Sequence, residues 1–391
     1  MPAGVAASEV SGSVSWYLTN AAGLRFALRF GRTIAYPARV STPSIIEILK
    51  SLASGTPMDE DESYAMMSAL LQGEMAEAQI GALLGLIAAR GPTPDELVGA
   101  ARVMRERVTP VPYTAGPGES LIDTCGTGGA PKTFNVSTAA AILAAAVTPP
   151  AQSRITRVVV AKHGNRSRTG RGSAEVLQAL GVNLDATPER QAECLRQAGI
   201  CFCFAINHHP AMRHAAGPRK ALGFPTIFNM LGPLTNPAGA TRQLIGVARR
   251  EYVSPIATTL ARLGTPHARV VHSRNGLDEI TTTDTIDVAV VRGDSVTLEE
   301  IDPASLGLAA ATIEQIRVEG VEESAALVRS IFAGEPGHAA DTVALSTAAA
   351  LMVAGVAETM QQGLTLSREA LGSGAAMSKL QELAEVSNAG A

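Results

Sequence analysis

Residues 123–138 read DTCGTGGAPKTFNVST. The run SLIDTC leads in as a strand, and the Ala-rich run NVSTAAAILAAAV leads out as a helix. Between them Gly126, Gly128 and Gly129 remove the Cβ atoms that would block a sharp turn. Such a turn lets several backbone N–H groups converge on one anion. Asn135, Ser137 and Thr138 stand where the helix begins, adding side-chain donors to the free amides and the positive dipole end. The chemistry this suggests is phosphate binding. Neither G-x-x-x-x-G-K-[ST] nor G-x-G-x-x-G fits, which excludes the Walker A loop and the dinucleotide fingerprint. A glycine turn with a helix cap is also common as plain architecture, so the neighbouring segments must decide.

Working outward, strand RVVVAK (157–162) runs into a second polar turn, AKHGNRSRTGRGSAE (161–175), and a helix SAEVLQALG. CFCFAI, RQLIGVA, ARVVHS and DVAVVRG read as later strands, with TTLARLG and the long TVALSTAAALMVAGVAETM as helices. This alternation predicts an α/β fold with a mainly parallel sheet covered on both faces. Ligands bind such sheets at the carboxyl ends of the strands, which brings the Gly126 and His163 loops together if their strands are neighbours. Upstream, 43–108 reads as helical, with Thr93 as an N-cap and Pro94 at the first helical position. The Pro/Gly stretch TPVPYTAGPGES (109–120) marks a boundary. Residues 1–42 are Arg-bearing and nearly free of acids. They are expected to be a disordered extension or a mis-called start, a transit peptide being the other reading, and stand outside the fold.

A hydrophobic content of 46% with 17% charged residues supports a large buried core. The net charge of −4 and the lack of a basic stripe argue against a nucleic-acid partner. Cys125, Cys194, Cys201 and Cys203 show no C-x-x-C spacing and read as reduced thiols of a cytoplasmic protein. No apolar run is long enough for a membrane span.

Three clusters could carry chemistry beside the opening loop. Lys162, His163, Asn165, Arg166, Arg168 and Arg171 crowd one glycine-bearing turn, which is costly as bare surface and explained as an anion cradle. Residues 208–239, HHPAMRHAAGPRKALGFPTIFNMLGPLTNPAG, are rigid at their prolines and hinged at Gly223 and Gly232, as a lid or crossover would be; Arg219 is its notable charge. His208, His209 and His214 lack a carboxylate or Cys at ligand spacing and read as packing or capping. In NGLDEITTTD (275–284), Asp278 and Glu279 could hold a divalent metal through oxygen, although paired loop acids are more often solvated surface.

Together these segments resemble anthranilate phosphoribosyltransferase of tryptophan biosynthesis. The resemblance rests on GTGG (126–129) with NVST (135–138), KHGNR (162–166) with GSAE (172–175), HPAMR…PRKALG…TIFNMLGPLTNP (209–237) and GLDE (276–279), and covers roughly 43–385. It implies a nucleoside phosphorylase/phosphoribosyltransferase-like fold, with a helical domain at 43–113 and an α/β domain at 119–205 and 239–385. The crossover 206–238 would pack back on the helices. It implies 5-phosphoribosyl 1-diphosphate on Gly126, Gly128, Gly129, Ala130, Thr133, Asn135, Val136, Ser137 and Thr138, and on Lys162, His163, Gly164, Asn165, Arg166, Ser167 and Ser173. Anthranilate would meet Gly126, Asn165 and Arg219, and Mg²⁺ would be held by Ser137, Asp278 and Glu279. A homodimer through the helical domain is also implied, and no residue is assigned as a general acid or base.

The chain departs from the family pattern at Ala130–Pro131, where Asp–Gly is usual and where Lys132 could instead reach phosphate. Arg171 stands where Lys is usual, Pro225 where Arg is common, and TPPAQSRITR (148–157) lengthens a connection away from the ligand edge. Pyrimidine nucleoside phosphorylases share the fold but carry KHS-type loops and lack GLDE. A non-enzymatic nucleic-acid-binding relative is disfavoured by the acidic balance.

Overall fold

The structure, a computed structural model, describes residues 43–131, 133–167 and 170–390, together with two short strands nearer the N terminus. These, β1 (Trp16–Thr19) and β2 (Arg25–Leu28), pair antiparallel. The rest of 1–42, on which the expectation for the extension falls, lies outside the described residues, as do Lys132 and Arg168.

Four helices follow: α1 (Ile45–Ala53), α2 (Glu60–Gln72), α3 (Glu77–Arg90) and α4 (Pro94–Glu106). Their starts are written in the sequence as capping boxes. Ser44, Asp59 and Thr93 each accept from the backbone N–H three residues on, where Glu47, Glu62 and Glu96 reach back to the cap.

The sheet holds seven strands in the order β5-β4-β3-β6-β7-β8-β9. They are β3 (Glu119–Gly126), β4 (Arg157–Gly164), β5 (Ile200–Phe204), β6 (Arg242–Gly246), β7 (His267–Ser273), β8 (Ile286–Arg292) and β9 (Ser295–Ile301). β5 through β7 are parallel, and β8 and β9 run antiparallel. The mainly parallel α/β expectation holds, with β9 added. Its sequence SVTLEEI is largely exposed, so it lacks the apolar signature that betrays the buried strands. From β3 the chain adds β4 and β5 on one side, then crosses to add β6 onward on the other. The switch point is therefore the gap between β3 and β6, where open α/β sheets bind ligands.

The remaining helices are α5 (Val136–Ala146), α6 (Ser173–Ala179), α7 (Pro188–Gln197), α8 (Ala205–His208), α9 (Arg213–Leu222), α10 (Ile227–Leu231), α11 (Val253–Arg262), α12 (Val321–Phe332), α13 (His338–Ala354), α14 (Met360–Gly372) and α15 (Ala375–Asn388). Two expectations need correction. The long helix across 342–360 stops at Ala354, because Gly355 takes a left-handed φ of 79° and ends α13; Met360 already opens α14. Strand CFCFAI stops at Phe204, and Ala205 and Ile206 open α8.

One face of the sheet packs on α5 and α13 through side chains such as Ile142, Val159 and Leu345. The other shares a core with α11, the first helices and the crossover: Ile227, Phe228, Leu231 and Leu234 pack in one cluster with Leu70, Leu84, Leu97 and Ile245. That shared core holds the crossover beside the carboxyl ends of the strands.

Candidate active site

At the switch point Gly126 and Gly246 are register partners, and the Thr127 N–H donates to Gly246 O at 2.9 Å. The acidic pair presses directly on these strand ends. A Cβ on Gly246 would overlap the backbone oxygen of Asp278, and one on Gly126 would stand 3.4 Å from Asp278 Oδ2. Beyond them the loop turns at Gly128 and Gly129, with φ of 65° and 101°. Ala130 and Thr133 are half-buried; Phe134 and Val136 are buried anchors.

At the start of α5, the Ser137 N–H donates to Glu279 Oε1 at 3.3 Å. Removal from water, then the neighbouring Asp278 charge, push the Glu279 carboxyl up to about 7. Lys162 opposes that shift from below the loop. Its ammonium donates to Thr124 O at 2.6 Å and to Ser137 Oγ at 3.4 Å, and the side chain is 3% exposed. Lys162, expected to meet phosphate, is directed inward by β4, among Asp123, Cys125 and Glu279. Thr138 is likewise not a free donor, being fully buried with a hydroxyl that has no partner among the described residues. Asn135 occupies the N-cap position without capping its own helix; its side chain turns to Ser324 instead.

In the second loop Asn165 and Arg166 are exposed, and the Arg166 guanidinium lies 5.6 Å from the Phe204 ring centre. Ser167 Oγ accepts the Arg171 N–H at 2.8 Å, and Ser173 is the first residue of α6. A Cβ on Gly164 would collide with Ser173 Oγ and with the Phe202 ring. His163 serves through its backbone. Its N–H donates to Asp123 Oδ1 at 3.1 Å, while the buried ring meets Gly232 O at 3.0 Å and burial holds its pKa near 3.

On the crossover, Arg219 lies 5.1 Å over the Phe228 ring and makes no ion pair with the described residues. Burial lowers its pKa, so a partly desolvated cation stands without a counter-charge. His208 faces Thr109 O at 2.7 Å, His209 packs 5.3 Å from the His163 ring, and His214 lies against Gly73.

Sequence reading passed over three residues here. Asp123, fully buried, binds both the His163 N–H and Asn236 Nδ2 (2.9 Å) and so ties β3 to β4 and to the crossover. Asn236 Nδ2 also donates to Ala161 O at 2.8 Å. Gly246 is the third, since only glycine fits beneath Asp278. A lone acid and a lone Gly at strand ends carry no local signal; the sheet order reveals them.

Among the described residues no group of three His, Cys, Asp or Glu could hold a metal alone. Asp278, Glu279 and Ser137 offer hard oxygen ligands, the donor type that suits a divalent cation which keeps water and phosphate in its shell. The residues fit Mg²⁺ of that kind.

Residues 118–377 match the a/b domain of the glycosyl transferase family, and residues 46–108 match that family's helical bundle domain. The anthranilate phosphoribosyltransferase of Thioalkalivibrio sulfidiphilus is 46% identical over 339 residues, covering 86% of this chain and 97% of that protein. The chain belongs to the anthranilate phosphoribosyltransferase family. A second relative of that name, from Cellvibrio japonicus, is 42% identical over 87% of this chain and 97% of its own. The crystal structure of anthranilate phosphoribosyltransferase from Thermus thermophilus superimposes with a TM-score of 0.78 at 40% identity, covering 88% of this chain and 99% of that one. The Saccharomyces cerevisiae enzyme, in complex with PRPP and Mg, shares the fold with a TM-score of 0.77 at 21% identity, covering 88% of this chain and 97% of its own. Family membership sets aside the nucleoside phosphorylase and nucleic-acid-binding readings.

Proposed function

We propose that the crevice at the carboxyl ends of β3, β4 and β6 transfers the phosphoribosyl group of 5-phosphoribosyl 1-diphosphate to the amine of anthranilate. The products are N-(5-phosphoribosyl)anthranilate and diphosphate, and the reaction is the second step of tryptophan biosynthesis from chorismate. The observation that carries the reading is the convergence, at one switch point, of two glycine-built loops and an acidic pair, with the unpaired Arg219 on the crossover.

The loops at 126–138 and 164–173 present backbone amides and the Arg166 cation to the phosphates. Lys162 acts from beneath, holding Ser137 and offsetting the charge of the acidic pair. Mg²⁺ bound by Ser137, Asp278 and Glu279 would neutralise charge developing on the departing diphosphate. The aromatic amine is neutral at pH 7, so its lone pair forms the N–C1 bond without a strong base. The C1–O bond breaks with its electron pair on diphosphate, and the nitrogen, now positively charged, loses one of its two protons to water. Positioning then dominates: Asn165 and the Gly126 backbone orient the amine, while Arg219 pairs with the anthranilate carboxylate and selects it.

No helix of the described residues is long and apolar enough to cross a membrane. A homodimer through the helical domain would cover Ile46, 57% exposed on α1. Mixing the protein with 5-phosphoribosyl 1-diphosphate and Mg²⁺ should quench anthranilate fluorescence with time. Steady fluorescence despite bound phosphoribosyl diphosphate would refute the acceptor. Arg219→Ala should raise the anthranilate KM at least about tenfold, the loss of a charge-assisted pair, and barely change the KM of the other substrate.

A further inference from the structure

A segment outside every motif touches both anion loops. Between the short helical turn at Ile313–Ile316 and the first turns of α12, three contacts reach across. The Phe134 N–H donates to Ile316 O at 3.2 Å. Ser324 Oγ accepts the Asn135 N–H at 3.2 Å and donates to Asn135 Oδ1 at 2.9 Å. The Arg171 guanidinium donates to Val318 O at 2.8 Å. Two of these contacts hold the exit of the first loop, and the third holds the far side of the second.

The anchoring end is rigid. Ile316 is fully buried, and Ser324 and Ala325 are 1% exposed, so the oxygens they present are fixed by the core beneath α12. The tip of the first loop has little side-chain packing to fix it. Gly128 and Gly129 stand in positive φ, where an added Cβ would meet nothing at the first and only Ala248 at the second, and Asn135 lacks the side-chain cap that would define the start of α5. A Ser hydroxyl that answers both the N–H and the side-chain oxygen of an N-cap residue fixes its backbone and rotamer together.

We propose that residues 316–324 are a brace that sets the spacing of the two loops, with Ser324 as a positioning residue for the phosphoribosyl diphosphate side of the site. The choice of ligand rests on the function proposed above; the mechanical role does not. Ser324 acts only through Asn135, and Arg171 supplies the same service to the second loop. An Arg in place of the family's usual Lys reaches the Val318 carbonyl with a planar, always-charged donor.

Two measurements separate the brace from the reaction. In ligand-free protein, Ser324→Ala should speed amide hydrogen exchange at Asn135 by about tenfold, from the loss of its acceptor and of the bond that fixes its side chain, with the exchange of α13 unchanged. Unchanged exchange at Asn135 overturns the brace, whatever the enzyme's substrate. In turnover, Ser324→Ala should raise the KM for 5-phosphoribosyl 1-diphosphate about tenfold and leave that for anthranilate within about twofold. Asn135→Ala combined with Ser324→Ala should be no worse than Asn135→Ala alone; additive losses, or equal losses for both substrates, overturn the positioning role. Should Ser324→Ala fold poorly, Arg171→Met gives an independent arm, with the same substrate-selective loss expected and Arg171→Lys recovering most of it. No loss in Arg171→Met overturns the brace on the second loop.

Discussion

The loop at 126–135 and the loop at 164–172 both lean on glycine, the first for backbone angle and the second for space. Gly128 has nothing near its missing Cβ, and its φ is +65°, a conformation that L side chains resist. Gly164 and Gly172 have ordinary φ and no room. A Cβ on Gly172 would lie 2.6 Å from Ser167 N and 2.7 Å from Asn165 O. The charges differ as well: the first loop carries Ala130 where an acid is usual, while Arg166 and Arg171 frame the second. One loop is shaped by its own torsions, the other by what packs against it. The same substitution should therefore fail differently in each.

The sharpest break comes where the strand ends beside the first loop meet the acidic pair. Gly246→Ala drives a methyl into the Asp278 backbone, so the turn bearing Asp278 and Glu279 must move. A displacement near 1 Å costs about a hundredfold in rate when it falls on reacting groups. Turnover should fall by at least that factor in protein whose circular dichroism is normal. Near-normal turnover would mean that the acidic turn does not govern the chemistry.

Next in size is a matched pair. Gly172→Ala should lower stability by about 1–3 kcal/mol, since overpacking must displace backbone atoms. Gly128→Ala should cost about 1–2 kcal/mol through φ alone. Asn is the discriminating substitution, because it tolerates the left-handed region. Gly128→Asn should recover most of the melting temperature lost by Gly128→Ala, while Gly172→Asn should be worse than Gly172→Ala. Recovery at both positions, or at neither, would erase the distinction between the loops.

These tests also mark what the chain discloses in one dimension. The loops, their flanking strand and helix, and the acidic pair are local, so glycine spacing and apolar runs announce them. Capping boxes at Ser44, Asp59 and Thr93 are local for the same reason. Asp123 and Gly246 acquire their meaning from register: strand partners far apart in sequence bring one against the His163 N–H and the other beneath Asp278. Lys162 reads in sequence as one more cation of an anion cradle, because it ends a strand before a basic run; its burial against Thr124 O is not legible there. Alternation along a strand decides which side chains point inward, and only the sheet order says what lies there. The brace at 316–324 has no motif, because two of its three anchors are main-chain carbonyls, which every residue carries.

The smallest expected effect concerns charge. Ala130→Asp would give the first loop the acid that the family usually carries, on a half-buried residue of a turn with space around it. A single partly exposed carboxylate near a bound cation is worth at most about 1 kcal/mol, so the Mg²⁺ concentration for half-maximal activity should fall by no more than a few-fold. Stability should not change, because nothing buried is disturbed. The same acid at Arg166 should act in the opposite direction and more strongly, since it removes a cation from the phosphate side as well as adding a charge. If Ala130→Asp instead shifts the Mg²⁺ requirement by orders of magnitude, the first loop is an electrostatic element of the metal site, and its glycine geometry is only half of its design.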